Sequence, residues 1–318
     1  WHFPLKQTHW GIPLSNATFG ALVWGEGEEL CITLNRADYW DHRGGVTWGP
    51  EATWDNLKTW LEAGDEENIR RVFEGEALGE AEDPPRPTRL PMGRVDLQLP
   101  RGKTLKTGML DLATSVCETS LESGDTFQAV MVRHDPILAM DFGFEDVEVS
   151  SVPPEADEVV EYFRRYGYPP VRVFDGEIDE GDGIERGGWV QEVPGEPVMC
   201  VAWQMARREG RAELLVTSVY EETPETAMRA AFQTLSDHDE AGVRQLFDRT
   251  AMWWSGYWSR VAAVSLPDPE RELLFYLGMY KLAGLSVPGS PAATLQGPWV
   301  EEYCMPPWSS DYHFNINV

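Results

Sequence analysis

Short strand-like segments separated by polar turns fill most of the first 220 residues of this chain. Val95, Leu97 and Leu99 alternate with polar residues, which is the period-2 pattern of a strand with one buried face. Residues 127–132 and 198–203 are nearly all apolar, as expected of strands covered on both faces. The second run is followed by a polar turn and another apolar run, which predicts a hairpin. Many short strands without regular alternation with helices predict a mainly β fold, a large antiparallel β-sandwich.

The period of the apolar pattern changes after residue 236 and becomes helical. It predicts a long helix over residues 238–262, followed by a second helix with prolines at both ends. We interpret Trp253 and Trp254 as core packing rather than as a sugar-stacking platform, because they lie at helical spacing. The predicted apolar stripes are Val243, Phe247, Trp254, Trp258 and Val261 in the first helix, and Leu273, Leu277, Tyr280 and Gly284 in the second.

Three further segments interrupt the strands. Residues 55–73 predict a helix before a proline-rich link, and residues 155–166 predict a second short helix. The acidic residues 175–183 supply closely spaced carboxylates, as a calcium site would. They do not fit the EF-hand pattern, since Glu180 stands at the glycine position and Arg186 at the position of the bidentate glutamate. We therefore predict a solvated loop and no metal site.

The composition narrows the class of partner. A chain of 318 residues can bury a large core, and its 14 tryptophans fit either sandwich packing or sugar stacking. The 53 Asp and Glu exceed the 26 Lys and Arg, and the resulting net charge of −27 repels phosphate backbones and anionic lipid. No apolar run approaches the roughly 20 residues of a membrane span. We expect an acidic protein with neither a nucleic-acid nor a membrane partner.

The four cysteines are far apart and form no CxxC pair. Cys31 and Cys200 lie in apolar runs, which predicts buried free thiols rather than a disulfide or a metal site. No motif for a cofactor is present. The first residue, Trp1, is not a start methionine, and a cleaved export signal is one explanation. The compartment stays open, with a secreted or periplasmic location favoured over a cytoplasmic one.

Two stretches near the ends of the chain carry rare residues in a fixed order. Residues 13–40 contain Pro-Leu-Ser-Asn-Ala, Phe-Gly-Ala-Leu-Val-Trp-Gly and Leu-Asn-Arg-Ala-Asp-Tyr-Trp. Residues 295–317 contain Leu-Gln-Gly-x-Trp, Pro-Pro-Trp-Ser and His-x-Asn-x-Asn. Together they resemble glycoside hydrolase family 95, whose members are mostly α-L-fucosidases with some α-L-galactosidases. Ser15 and Ala17 replace two glycines of the family's opening, which indicates a divergent branch.

The resemblance implies an order of domains and an activity. Residues 1–235 would form the amino-terminal β-sandwich and residues 236–266 a helical linker. Residues 267–318 would form the first helix and the entrance segment of an (α/α)6 catalytic barrel. The parent enzyme would hydrolyse α-L-fucosidic or α-L-galactosidic bonds with inversion. The family's general acid Glu and general base Asp lie on later barrel helices, beyond these 318 residues, so we expect this chain alone to be inactive.

The resemblance also implies site residues. Asn315 and Asn317 would orient the attacking water, and His313, Trp299 and Trp308 would bind the sugar. The alternative for the asparagines is a turn or capping role, which Asn favours on its own account. The nearest carboxylates are interpreted as surface or structural groups, since two of them are adjacent in sequence and cannot flank one sugar; they are Glu301, Glu302 and Asp311.

Three functions therefore stay open. The first is the amino-terminal part of a family-95-like glycosidase, whose partner is an oligosaccharide or glycan and which needs no cofactor. The second is a non-catalytic carbohydrate-binding or scaffold module built on the sandwich. The third is a sugar phosphorylase of related architecture, which uses phosphate in place of water. The oligomeric state is not indicated by the sequence.

Overall fold

The computed structural model describes residues 1–44, 49–74, 86–179, 183–208 and 210–313. The chain divides into two compact units. The larger unit comprises Trp1–Trp40 and Thr88–Val318, and the smaller comprises Asp41–Pro87. The boundaries that the resemblance implies, at residues 235 and 266, stay predictions.

The strands of the larger unit form two extensive sheets in which every pairing is antiparallel. Within the described residues, the first sheet has the order β1-β2-β3-β6-β11 and the second the order β12-β13-β14-β15-β10-β9-β8-β7, while β4 and β5 form a separate short pair. The bounds are β1 Ile12–Ser15, β2 Phe19–Glu26, β3 Glu29–Arg36, β4 Trp40–Asp41, β5 Thr88–Arg89, β6 Arg94–Gln98, β7 Leu105–Asp111, β8 Val116–Leu121, β9 Thr126–Met131, β10 Ile137–Phe142, β11 Glu148–Val152, β12 Arg172–Asp179, β13 Ile184–Gln191, β14 Val198–Arg208 and β15 Arg211–Glu221. The predicted antiparallel sandwich is confirmed.

The second sheet is covered on both faces along β14. Met199, Val201 and Trp203 point into the main core, which also contains residues from the first sheet. Cys200 and Ala202 point the other way, into a second apolar cluster that includes residues of the helices after β15. Period-2 alternation therefore sends both sets of side chains into apolar surroundings. This explains the unbroken apolar run at 198–203, and the predicted hairpin is formed by β14 and β15.

The helices that follow the strands differ in their bounds from the prediction. The predicted helix over 238–262 is wrong, because α4 (Pro224–Ala241) and α5 (Val243–Trp258) meet at Gly242. Gly242 has a φ of 82°, a conformation that ends α4 and is accessible mainly to glycine. After α5 comes α6 (Pro269–Leu285), which begins at the capping residue Asp268 and has proline in its first turn, as predicted.

The apolar stripe of α5 is buried in part. Trp254 is fully buried and stacks on Tyr280 of α6 at 4.8 Å. Phe247 and Trp258 are only half-buried, and Val261 lies beyond the end of the helix. Trp253 contacts the Arg133 guanidinium, whose central carbon lies 3.7 Å from the ring centre. The predicted packing role of Trp253 and Trp254 matches these contacts.

The three remaining predicted segments are shorter than expected. The helix over 55–73 is interrupted at Gly64, which has a φ of 68°, so it becomes α1 (Trp54–Ala63) and α2 (Glu66–Ile69) followed by a π-helical turn (Arg70–Glu74). The helix over 155–166 is α3 (Asp157–Arg165). The backbone of residues 175–179 belongs to β12, so this part of the predicted loop is strand, and residues 180–182 lie outside the described part. None of the described helices has the length and apolar character of a membrane span.

Candidate functional site

The two stretches that carry the resemblance lie against each other in the larger unit. The main-chain N–H of Val300 donates to the Asn35 side-chain oxygen at 3.0 Å. The Trp299 indole N–H donates to the Leu14 carbonyl at 3.1 Å. A Cβ placed on Gly20 would lie 2.2 Å from the Pro298 carbonyl oxygen, so only glycine fits there. We call residues 294–313 the entrance segment and residues 13–40 the opening, and the first strands of the sandwich hold one against the other.

Arg89 of β5 fixes the first turn of the entrance segment. Its guanidinium is fully buried and donates to the Gly297 carbonyl at 2.7 Å and to the Thr294 hydroxyl at 3.3 Å. It also donates to the Arg36 carbonyl at 2.6 Å, at the end of β3. Burial lowers the pKa of Arg89 to about 10, because the charged form loses its hydration. One buried cation therefore ties the opening and the entrance segment to β5.

The turn between β1 and β2 contains or adjoins the two residues that replace glycines of the family's opening, Ser15 and Ala17. Ala17 has a φ of 79°, the left-handed conformation that glycine adopts without penalty. The Asn16 side-chain oxygen accepts from the main-chain N–H of Phe19 at 2.8 Å, which holds this turn closed. The Ser15 hydroxyl donates to the Gly284 carbonyl near the end of α6 at 2.5 Å. Ser15 therefore adds a contact to α6 that a glycine could not make.

The adjacent carboxylates of the entrance segment point into different surroundings. Glu302 is buried, and its carboxylate accepts from the hydroxyls of Thr8 at 2.9 Å and Thr33 at 2.8 Å. The carboxylate of Glu301 lies 2.7 Å from the His9 imidazole nitrogen and lines a cleft that Glu302 does not line. Neither arrangement places two carboxylates on opposite sides of one sugar.

A turn of unusual backbone conformation precedes the predicted catalytic motif. Trp308, Ser309 and Ser310 have φ values of 48°, 59° and 49°, all in the left-handed region that costs a residue with a side chain about 1–2 kcal/mol. Ser310 is buried, and its hydroxyl lies 3.1 Å from the Thr294 hydroxyl. The turn leaves the Trp308 ring 76% exposed. Strained backbone of this kind persists where the surrounding contacts hold it, and it is frequent at binding sites.

The predicted site residues are brought together only in part. His313 lies beside Trp308, with 6.1 Å between the ring centres, and its Nδ1 lies 2.6 Å from the Asp311 carboxylate. Trp299 lies elsewhere, because its ring lines the cleft that also contains Glu301. Asn315 and Asn317 lie outside the described residues.

One group of side chains has the composition of a metal site. Ligand atoms of Glu29, Cys31 and Asp96 lie within 4.8 Å of one another. The Asp96 carboxylate is already bound by Arg94 Nε at 2.8 Å, and burial raises the pKa of the Cys31 thiol, so the metal-binding thiolate form is disfavoured. We assign no metal to this group.

A sequence profile described as the glycosyl hydrolase family 95 catalytic domain matches residues 233–318. The resemblance to family 95 is confirmed. A stretch of 52 residues is 52% identical to the protein named "Probable alpha-fucosidase A" of Aspergillus niger. That stretch is 16% of this chain and 6% of the relative, so the match spans a small part of the relative's length.

A solved structure adds a similarity of fold. It comes from the human microbiome, is assigned as a kojibiose phosphorylase, and matches 90% of this chain with a TM-score of 0.50 and 8% sequence identity. This chain covers 38% of that structure, so it corresponds to a minor part of it. The match supports the same order of a sandwich followed by helices that family 95 implied.

Several contacts that build the site cannot be predicted from the sequence. Arg89 follows a proline-rich link and belongs to no periodic pattern, and the sequence does not show that the Glu302 carboxylate binds the hydroxyls of Thr8 and Thr33. Asn35 and Gly20 lie within the opening, but nothing in the sequence shows that they contact residues 298–300. Such contacts join segments that are distant in sequence. The residue pattern of a single sequence therefore cannot predict them.

Proposed function

We propose that this chain supplies the sandwich, the connecting helices and the barrel entrance of an inverting glycoside hydrolase. Its substrates would carry α-L-fucosidic or α-L-galactosidic bonds. The observation that carries the proposal is the anchoring of the entrance segment on the opening, through Asn35, Gly20 and the buried Arg89. The similarity to the Aspergillus niger relative supports fucose as the first sugar to test.

The exposed face of α6 supports a barrel. Leu273, Leu274 and Leu282 are 60%, 66% and 56% exposed, although a helix normally buries its apolar residues against a neighbour. The first helix of an (α/α)6 barrel would bury them against later helices. In this proposal residues 267–318 belong to the barrel, residues 236–266 to the linker and residues 1–235 to the sandwich.

The proposed roles follow from the chemistry of inversion. An inverting glycosidase needs an acid and a base roughly 6.5–9.5 Å apart, with a water molecule held in line on the side of the base. The amides of Asn315 and Asn317 would hold that water while a carboxylate accepts its proton, since an amide cannot accept the proton well itself. His313 and Trp308 would contact the sugar, and Trp299 is proposed as a further sugar contact. The acid and the base would be carboxylates other than Glu301 and Glu302.

The test uses the parent enzyme that contains this chain. We expect hydrolysis of aryl α-L-fucosides or α-L-galactosides, with the inverted anomer seen first by NMR. Asn315→Ala and Asn317→Ala should each lower kcat by on the order of 10²-fold with a smaller change in KM, because water positioning acts in the transition state. Asn56→Ala, in an exposed helix of the smaller unit, is the matched control. Retention of configuration, or full activity of both site variants, would contradict the proposal.

A sugar phosphorylase is the second candidate, because the solved neighbour assigned as a kojibiose phosphorylase shares the fold. A phosphorylase would need inorganic phosphate and would release a glycosyl phosphate, whereas a hydrolase would release free sugar in its absence. Measuring both products with and without phosphate separates the two. A non-catalytic module would give neither product.

A further inference from the structure

A wide cleft opens beside the entrance segment, on the face that carries Trp299. It has a volume of about 710 Å³, within the range of small-molecule sites. Its walls come from the amino-terminal residues, β1, β2, α6 and residues 296–301. Neither Trp308 nor His313 lines it. We call this space the aromatic cleft.

Three tryptophans line the aromatic cleft. Trp1 is 41% exposed and Trp10 is 47% exposed, so large ring surfaces face solvent. Trp299 is held in place by its indole hydrogen bond to the Leu14 carbonyl at 3.1 Å. Rings of this kind bind the apolar C–H faces of sugars. The cleft therefore has two exposed stacking rings and a third ring that a hydrogen bond holds in place.

Polar groups of both kinds line the same cleft. His9 and Glu301 form a pair at 2.7 Å, and the Lys281 ammonium lies 5.9 Å from the centre of the Trp299 ring. The Gln296 side chain also lines the cleft, and its amide oxygen is buried, so its amide nitrogen is the group that can donate. Sugar hydroxyls both donate and accept hydrogen bonds, and a mixture of carboxylate, ammonium and amide suits them better than it suits an apolar ligand.

The negative charge of the protein favours neutral saccharides over anionic ones. Lys281 is offset within the cleft by Glu301, and the chain as a whole has a net charge of −27. An anionic saccharide would therefore meet a repulsive field from the protein as a whole. We infer that the aromatic cleft binds a neutral oligosaccharide, stacked on Trp10 and Trp299 with hydroxyls bound by Glu301 and Lys281. This inference goes beyond the proposed function, since binding requires no catalytic group.

The experiment titrates the 318-residue protein with two trisaccharides, neutral fucosyl-lactose and acidic trigalacturonate, by calorimetry and tryptophan fluorescence. We expect binding of the neutral sugar and weaker or no binding of the acidic one. Trp10→Ala should weaken the affinity for the neutral sugar by about tenfold or more, because the substitution removes an exposed stacking ring. Its thermal unfolding should stay unchanged, since the ring is 47% exposed.

Matched variants locate the site. Trp54→Ala removes a tryptophan that is 71% exposed but lies outside the aromatic cleft, and this variant should bind the neutral sugar like the parent protein. Glu301→Gln should weaken binding several-fold without loss of fold. No binding of the neutral sugar, tighter binding of the acidic sugar, or an equal loss of affinity in Trp54→Ala and Trp10→Ala would overturn the inference. None of these outcomes depends on glycosidase activity, which is measured separately in the parent enzyme.

Discussion

Arg89 donates a hydrogen bond of 2.7 Å to the carbonyl of Gly297, a residue 208 positions further along the chain. The guanidinium is fully buried, and its hydrogen bonds go to two carbonyls and one hydroxyl rather than to a carboxylate. Its positive charge is thus held by oriented dipoles at the junction of opening and entrance segment. A buried cation with three acceptors is costly to remove, because the acceptors are left without donors.

Arg89→Met should therefore lower the free energy of unfolding by about 2–5 kcal/mol, the range for leaving buried groups unpaired. Urea denaturation of the chain measures this change. Arg271→Met is the matched control, since this side chain is 79% exposed and pairs with Asp268 at the surface. It should change stability by less than about 1 kcal/mol. Equal effects of the two substitutions would remove the anchoring role from Arg89.

Two Gly→Ala substitutions should change the free energy of unfolding in opposite directions. Gly20→Ala places a Cβ 2.2 Å from the Pro298 carbonyl oxygen, so the strand or the entrance segment must move, at a cost of about 1–3 kcal/mol. Gly278→Ala lies within α6 with open space around its Cβ position, and should stabilise the helix by up to about 1 kcal/mol. Thermal and urea unfolding of both variants provide the comparison. If Gly20→Ala is as stable as the parent protein, the Pro298 carbonyl moves away from residue 20 at little cost in free energy.

Trp254→Ala should lower the free energy of unfolding by about 3–5 kcal/mol, the usual cost of deleting a large buried aromatic ring. The ring is fully buried and stacks on Tyr280, which links α5 to α6. Met252→Ala is the control on the same helix, because Met252 is 68% exposed. If both variants unfold at the same denaturant concentration, the Trp254 contacts contribute little.

The reactivity of Cys304 should depend on Glu301. Burial, followed by the charge of Glu301, raises the pKa of the Cys304 thiol to about 11, and its sulfur lies 3.7 Å from that carboxylate. A raised pKa means less thiolate at pH 8, so alkylation by iodoacetamide should be slow and should accelerate as the pH rises towards 11.

Glu301→Gln removes the negative charge and should increase the alkylation rate of Cys304 at pH 8. Cys304→Ser identifies the signal by mass spectrometry. Burial raises the pKa values of Cys117 and Cys200 to about 12, and these thiols should react only after unfolding. An unchanged rate in Glu301→Gln would assign the raised pKa to burial alone.

The sandwich could be predicted because each strand carries its own signal. Residues 198–203 are apolar on both faces, and β14 is buried on both faces. The break at Gly242 could not be predicted, since a single glycine within a helical pattern is often tolerated. Helical spacing also identified Trp254 as buried, but it could not show that Phe247 and Trp258 stay half-exposed.

The candidate site was harder to predict than the fold. The closeness of Trp308 and His313 follows from a turn of a few residues, and the short motif pointed to both. Trp299 lies in the same motif but faces the aromatic cleft, whose other walls come from residues near the start of the chain. Sequence distance therefore concealed the partners of Trp299, as it concealed the contact between Thr33 and Glu302.

Because the chain is synthesised from its amino terminus, the opening is made well before the entrance segment that it contacts. Thr33 leaves the ribosome 269 residues before Glu302, and Asn35 leaves 265 residues before Val300. At a translation rate of about 5–20 residues per second, the groups that β3 binds are synthesised on the order of 10–50 s after β3 itself. Until then the nascent sandwich presents these side chains to water, or to a chaperone. The opening can thus reach its final form only after translation has passed residue 302.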